Sequence, residues 1–268
     1  MIRVGLVGCG TIGSRVALAL QQQYRGAARV TALHDHDLTH AHALQRQLRP
    51  SPRVLSLDRL IRASDLVVET ASAEIAPTVV VRALRAHRDV LVMSVGGLLR
   101  DQRWRAAAGR SKGRVHIPSG ALAGLDGIKA LAVGRIRAVS LTTSKPPRAL
   151  ADAPYVKRNR MQLTGLRRPR VVFDGSARDV VRAFPQNTNI AAALALASGR
   201  PASQVRVTVV ADPSLRRNRH EVDVEGDCGR IRCQIESRPS QNPKTSELAV
   251  RSAIAALARL FEPVTVGT

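Results

Sequence analysis

The chain has 268 residues, with 42 Lys plus Arg against 20 Asp plus Glu and a formal net charge of +22. Its 44% hydrophobic content suffices for the core of one large or two modest domains and excludes wholesale disorder. No run of about 18 apolar residues offers a membrane span. Five of the basic residues are Lys and the other 37 are Arg, spread over nearly every segment. With one Trp, two Tyr and three Phe there is little to stack bases on, so the charge predicts a solvated surface and no nucleic-acid partner. Cys9, Cys228 and Cys233 are too few for a disulfide framework, and Met1 leads straight into a strand-like segment. A reduced, cytoplasmic protein without a leader is expected.

In chain order, apolar runs predict strands over Ile2–Val7, 28–33, Leu66–Glu69 and 90–93. Helical spacing of apolar residues fills the intervals after Gly13, over 38–48 and over 73–86. Alternating strands and helices at short spacing predict an α/β fold, a Rossmann-type doubly wound parallel sheet. Beyond Pro118 the pattern turns to period-two alternation over 135–143, 205–211, 220–225 and 230–235, with a hairpin turn at Asp227-Cys228-Gly229. One helix, over 188–198, interrupts these strands. An α+β domain with a mainly antiparallel sheet is therefore expected over 118–241. A dinucleotide-binding domain is expected over 1–117, completed by a C-terminal helical segment over 242–268 whose helix spans 242–260.

Gly8-x-Gly10-x-x-Gly13 lies between the first strand and the first helix. Gly8 permits the tight turn, Gly10 admits a pyrophosphate close to the backbone, and Gly13 lets helix and strand approach. Thr11 and Ile12 open the helix whose free N–H groups would face the phosphates. Asp35 ends the second strand, 22 residues beyond Gly13, where a carboxylate bonds the ribose hydroxyls of NAD and repels the 2′-phosphate of NADP. His36 and nearby Arg residues leave NADP open. His34, His36, His40 and His42 lack a Cys or acidic ligand set, so solvent-facing histidines are expected and no metal. Cys228 and Cys233 are expected to be small core residues. The Gly-rich stretch from Pro118 to Gly127 is expected to bring backbone close to a ligand. Lys145-Pro146-Pro147 sets a cation beside a stiff turn, while two Asn at 187 and 189 stand at a helix start.

Over almost its full length the chain resembles the L-aspartate dehydrogenases of the NadX type. The resemblance is carried by Val7 to Gly13, Ser94-Val95-Gly96-Gly97, Pro118 to Gly127, Thr142-Thr143-Ser144-Lys145-Pro146-Pro147, Phe184 to Ala193, His220-Glu221 and Asn242 to Ser246. Gly97 stands where Ala is common and Thr188 where Val is common. The resemblance implies oxidation of L-aspartate to iminoaspartate with NAD or NADP, feeding NAD synthesis or hydrolysing to oxaloacetate and ammonia. It implies His220 as the active-site residue, Ala123 and Asn189 as cofactor contacts, and a homodimer built through the second domain. A neutral imidazole at His220 suits a general acid/base that takes the substrate's ammonium proton. The substrate carboxylates need cations, for which Lys145 is one candidate among many. Competing readings are a related reductase, of homoserine-dehydrogenase or dihydrodipicolinate-reductase type, and a Rossmann cofactor sensor without turnover.

Overall fold

The computed structural model describes residues 1–184, 189–238, 240 and 246–267. Two units are distinguished: Met1–Pro118 with Val250–Thr265, and Ser119–Ala249 with the terminal residues from Val266.

The first unit runs β1 (Ile2–Val7), α1 (Thr11–Gln23), β2 (Ala28–His34), α2 (Leu38–Gln47), β3 (Arg53–Val54) and α3 (Leu57–Ala63). It continues with β4 (Leu66–Glu69), α4 (Ala76–Arg85), β5 (Asp89–Val92), α5 (Gly96–Arg100), α6 (Arg103–Gly109) and β6 (Val115–His116). The strands form one sheet in the order β3-β2-β1-β4-β5-β6, every pairing parallel. This is the doubly wound order whose chain reversal lies between β1 and β4, the crevice in which such sheets bind ligands. All four residues of β4 are buried, as a parallel strand covered on both faces requires. Helix α1 buries Gly13, Val16, Ala17, Ala19 and Leu20, a helical stripe. The short β3, β6, α3, α5 and α6 escaped the sequence reading because they are too brief to show a period.

The second unit runs α7 (Leu125–Leu131), β7 (Ile136–Lys145), α8 (Pro154–Arg158), β8 (Arg170–Ser176), α9 (Ala177–Ala183) and α10 (Asn189–Ala197). After these come β9 (Arg206–Ala211), β10 (Asn218–Gly226) and β11 (Arg230–Ser237). Its sheet has the order β11-β10-β7-β9-β8. Three of its pairings are antiparallel, but β7 and β9 run parallel. The whole stretch from α8 to α10 serves as the crossover that parallel neighbours need.

The last helix, α11, spans Glu247–Ala258. The expected helix over 242–260 is thus corrected at its end: Leu260 and Phe261 close a turn onto Leu257 and Ala258, and Pro263 follows. The segment that completes the first unit begins at Val250, not at 242. Within that unit Phe261 stacks on Tyr24, ring centroids 5.6 Å apart. Residues 242–245 lie outside the described residues, as do Pro185, Gln186, Asn187 and Thr188 of the motif before α10.

Candidate active site

In the first unit the fingerprint residues converge. Gly8 has φ +92°, and a Cβ there would lie 2.7 Å from the Ala71 nitrogen, so only glycine fits. A Cβ on Gly13 would run into the Gly8 carbonyl oxygen, which also accepts from Thr70 Oγ1 at 2.7 Å. Gly10 differs: nothing lies within 4 Å of its Cβ position, leaving open space where a pyrophosphate would approach. Thr11 and Ile12 begin α1, which has no side-chain cap and no acidic residue in its own first turn. Asp35 is pinned beside them. Its Oδ2 accepts from Cys9 N at 2.6 Å, its Oδ1 from Asp37 N at 2.9 Å, and His36 Nδ1 lies 3.0 Å away. These residues fit a dinucleotide, with the Asp35 carboxylate held beside the turn. Burial, and secondarily the Asp35 charge, push the Cys9 thiol up to about 12, which removes it as a nucleophile.

One functional group in this unit went unnoticed in the sequence. Glu69, the last residue of β4, is fully buried. Its carboxylate accepts from Ala71 N (2.8 Å), Ser94 N (3.0 Å) and Ser94 Oγ (2.9 Å), tying together the turns after β4 and β5. Burial raises its pKa to about 7 against these bonds. A Glu closing an otherwise apolar strand was the available signal. Because the folded pKa exceeds the ordinary 4.5, this group's stability contribution is complete below pH 4.5 and is lost as pH rises through 7. The loss amounts to about 3 kcal/mol. Glu69→Gln is expected to lack that decline. Denaturant titrations of both proteins between pH 4.5 and 7.5 check it, and parallel stability curves would contradict it.

In the second unit His220 is 2% exposed on β10, opposite Thr143 of β7 and Ile235 of β11. Its Nδ1 and Thr143 Oγ1 are 3.2 Å apart. Lys145, two residues beyond Thr143 and so on the same sheet face, is 6% exposed. Burial lowers the Lys145 pKa to about 8. Burial first, and then the Lys145 charge, hold His220 down to about 3, so its imidazole is neutral at neutral pH. A neutral ring accepts a proton; storing one in the free protein is disfavoured. Lys145 was only one candidate cation in the sequence. Its signal was being one of only five Lys in a chain with 37 Arg.

Ala123 stands exposed just before α7, and Asn189 exposed at the first position of α10. Helix α7 packs on β10 and on α10. The expectation that the Gly-rich stretch serves a ligand is corrected for two glycines. A Cβ on Gly124 would lie 2.7 Å from Cys233 Sγ, and one on Gly127 2.7 Å from Ile231 Cδ1, so both let α7 close onto β11. Gly120 alone of the three stays open. Cys228 is exposed in the hairpin turn and Cys233 half-buried, so neither is a core residue. Gly97 meets the Ala73 carbonyl where Ala would add a methyl group. Among the described residues no cluster of His, Cys, Asp or Glu could hold a metal.

A Gly-rich turn at the head of a doubly wound sheet, with a strand-end carboxylate bonded to it, defines a Rossmann-type nucleotide-binding protein. The family profile described as "Aspartate dehydrogenase, C-terminal" matches residues 126–260, and that described as "Homoserine dehydrogenase, NAD binding domain" matches residues 8–118. The L-aspartate dehydrogenases of Methanosarcina barkeri and Methanosarcina acetivorans are 40% and 39% identical, each alignment covering both chains completely. The crystal structure of aspartate dehydrogenase from Thermotoga maritima matches with a TM-score of 0.78 at 25% identity, again over the whole of both chains. The chain belongs to the aspartate dehydrogenase family. It is an oxidoreductase whose cofactor is a nicotinamide dinucleotide, NAD or NADP.

Proposed function

We propose that the protein oxidises L-aspartate to iminoaspartate, reversibly, with NAD preferred over NADP. The observation that carries this reading is the buried sheet face holding His220, Thr143 and Lys145, in a chain matched end to end by L-aspartate dehydrogenases. The bound nicotinamide would supply the hydride acceptor. What the chain must do is free the amine lone pair that forms the C=N bond as hydride leaves Cα. His220 takes the ammonium proton through Nε2, because Nδ1 faces Thr143 Oγ1. The preference for NAD follows from Asp35, whose charge disfavours a 2′-phosphate. Gly8, Gly10, Thr11, Ile12 and Gly13 cradle the pyrophosphate, and Ala123 and Asn189 contact the nicotinamide half, as the family resemblance implies. By the same resemblance the protein works in the cytoplasm as a homodimer joined through its second unit, its product entering NAD synthesis. No described helix is long and apolar enough to cross a membrane.

The test is reduced-nicotinamide absorbance with L-aspartate and each cofactor, against D-aspartate, L-glutamate and L-homoserine. Reduction with L-aspartate alone, faster with NAD, is expected. Reduction with L-homoserine alone would favour the relatives of the nucleotide-binding half. NAD binding with no turnover would leave a sensor.

A further inference from the structure

The face of the second sheet that carries His220 changes character along its strands. One row across β7, β10 and β11, Val139–Val224–Ile231, is wholly aliphatic. Two rows further along stand Thr143, His220 and Ile235, and the row after that sets Asn218 opposite Ser237. Polar side chains on three neighbouring strands thus gather at one end of this face. Ser237 lies diagonal to His220, whose own partner on β11 is Ile235. It is 4% exposed, nearly as deep as His220. Its Oγ nevertheless has no hydrogen-bond partner among the described residues.

A buried hydroxyl that makes no bond is a net cost to the free protein, and folded proteins hold few such groups without a use for them. We propose that Ser237 Oγ donates a hydrogen bond to a carboxylate of the substrate whose amine His220 handles. This rests on the aspartate reading above. Diagonal neighbours on paired strands stand roughly 7–8 Å apart, a span that one small amino dicarboxylate fills with a hydrogen bond at each end. Thr143 Oγ1 engages Nδ1 of His220, which leaves Nε2 for the amine and Ser237 Oγ for an oxygen that can only accept. Asn218, half-buried and opposite Ser237, carries a side-chain amide able to donate to the same carboxylate. A neutral donor also suits the place. A second cation beside His220 would lower the basicity of the imidazole further, whereas a hydroxyl binds the anion and leaves that basicity alone.

The experiment compares wild type with Ser237→Ala, which deletes the hydroxyl alone. Because that hydroxyl has no bond to lose among the described residues, the variant should melt at or above the wild-type temperature. Succinate, a dicarboxylate with no amine to oxidise, is titrated calorimetrically into each NADH-saturated protein, and its affinity should fall about tenfold in the variant. The KM for L-aspartate should rise to match, with kcat within about threefold of wild type and NADH affinity unchanged. A variant that binds succinate as tightly as wild type overturns the assignment, and so does wild-type protein that binds no succinate. A variant that melts well below wild type overturns it too, since the hydroxyl would then be a structural group. Succinate binding that depends on Ser237, in a protein that does not oxidise L-aspartate, would instead sink the aspartate reading and leave the carboxylate contact standing.

Discussion

His220→Ala is expected to lower the turnover of L-aspartate by at least about 100-fold, with NADH affinity within about threefold of wild type. The reason is the position of the proton. At neutral pH the substrate carries an ammonium group, and no lone pair is available to form the C=N bond until that group is deprotonated. His220 is a buried imidazole held neutral by its surroundings, with Nδ1 set against Thr143 Oγ1. Alanine at this position leaves the fingerprint turn and Asp35 untouched, because those belong to the first unit. The loss should therefore appear in kcat and not in cofactor binding. Part of the structural cost is a cavity and a Thr143 hydroxyl without its ring partner, about 1–3 kcal/mol. A thermal melt run beside the kinetics separates that cost from the chemical one. Turnover close to wild type in a folded His220→Ala protein would remove this residue from the mechanism.

The second large effect is expected at the fingerprint, where two neighbouring glycines should fail in different ways. A methyl group on Gly13 meets the Gly8 carbonyl oxygen and lies 2.7 Å from Thr70 Oγ1, both fixed by the start of the fold. Gly13→Ala must push α1 off β1, costing about 1–3 kcal/mol of stability and at least about 100-fold in NADH affinity. Gly10→Ala meets no protein atom within 4 Å, so the protein should melt at the wild-type temperature. Its methyl group nonetheless occupies the space left for the pyrophosphate, and NADH affinity should fall at least about tenfold. Fluorescence titration of NADH and thermal melts of the two variants give the comparison. Equal losses of stability in both would contradict this division of labour.

The first unit was legible because each of its devices is local in the chain. Six residues, Ile2–Val7, suffice to show a buried strand, and Gly8, Gly10 and Gly13 mark a turn whose constraints act within a few residues. Asp35 could be counted out from Gly13, since a strand, a helix and a strand set a nearly constant chain length. The long strands of the second unit were also readable, because one covered face imposes a period of two, as the alternation of buried and half-buried residues along β10 shows. Their partnership was not readable. The same alternation is compatible with parallel or antiparallel neighbours, and the β7–β9 pairing depends on which strand the crossover through α8–α10 returns to.

The candidate site divides along the same line. The roles of His220, Ala123 and Asn189 came from resemblance to a family; spacing and composition alone left His220 evenly divided between a sheet-face histidine and a functional one. Only the register places His220 opposite Thr143 and puts Lys145 on the same face, because residues 77 apart become neighbours through strand pairing and in no other way. Burial likewise belongs to the assembled structure. Glu69 and Lys145 are chemically ordinary in the sequence, and their altered acidities exist only because packing removes the water that would otherwise solvate their charges. The roles of Gly124 and Gly127 reversed for the same reason, since a glycine announces room for a close approach without saying whether a ligand or a neighbouring strand fills it. Chain-local geometry was therefore determined by the sequence itself, whereas charge placement, acidity and the grouping of reactive side chains were decided by contacts between distant segments.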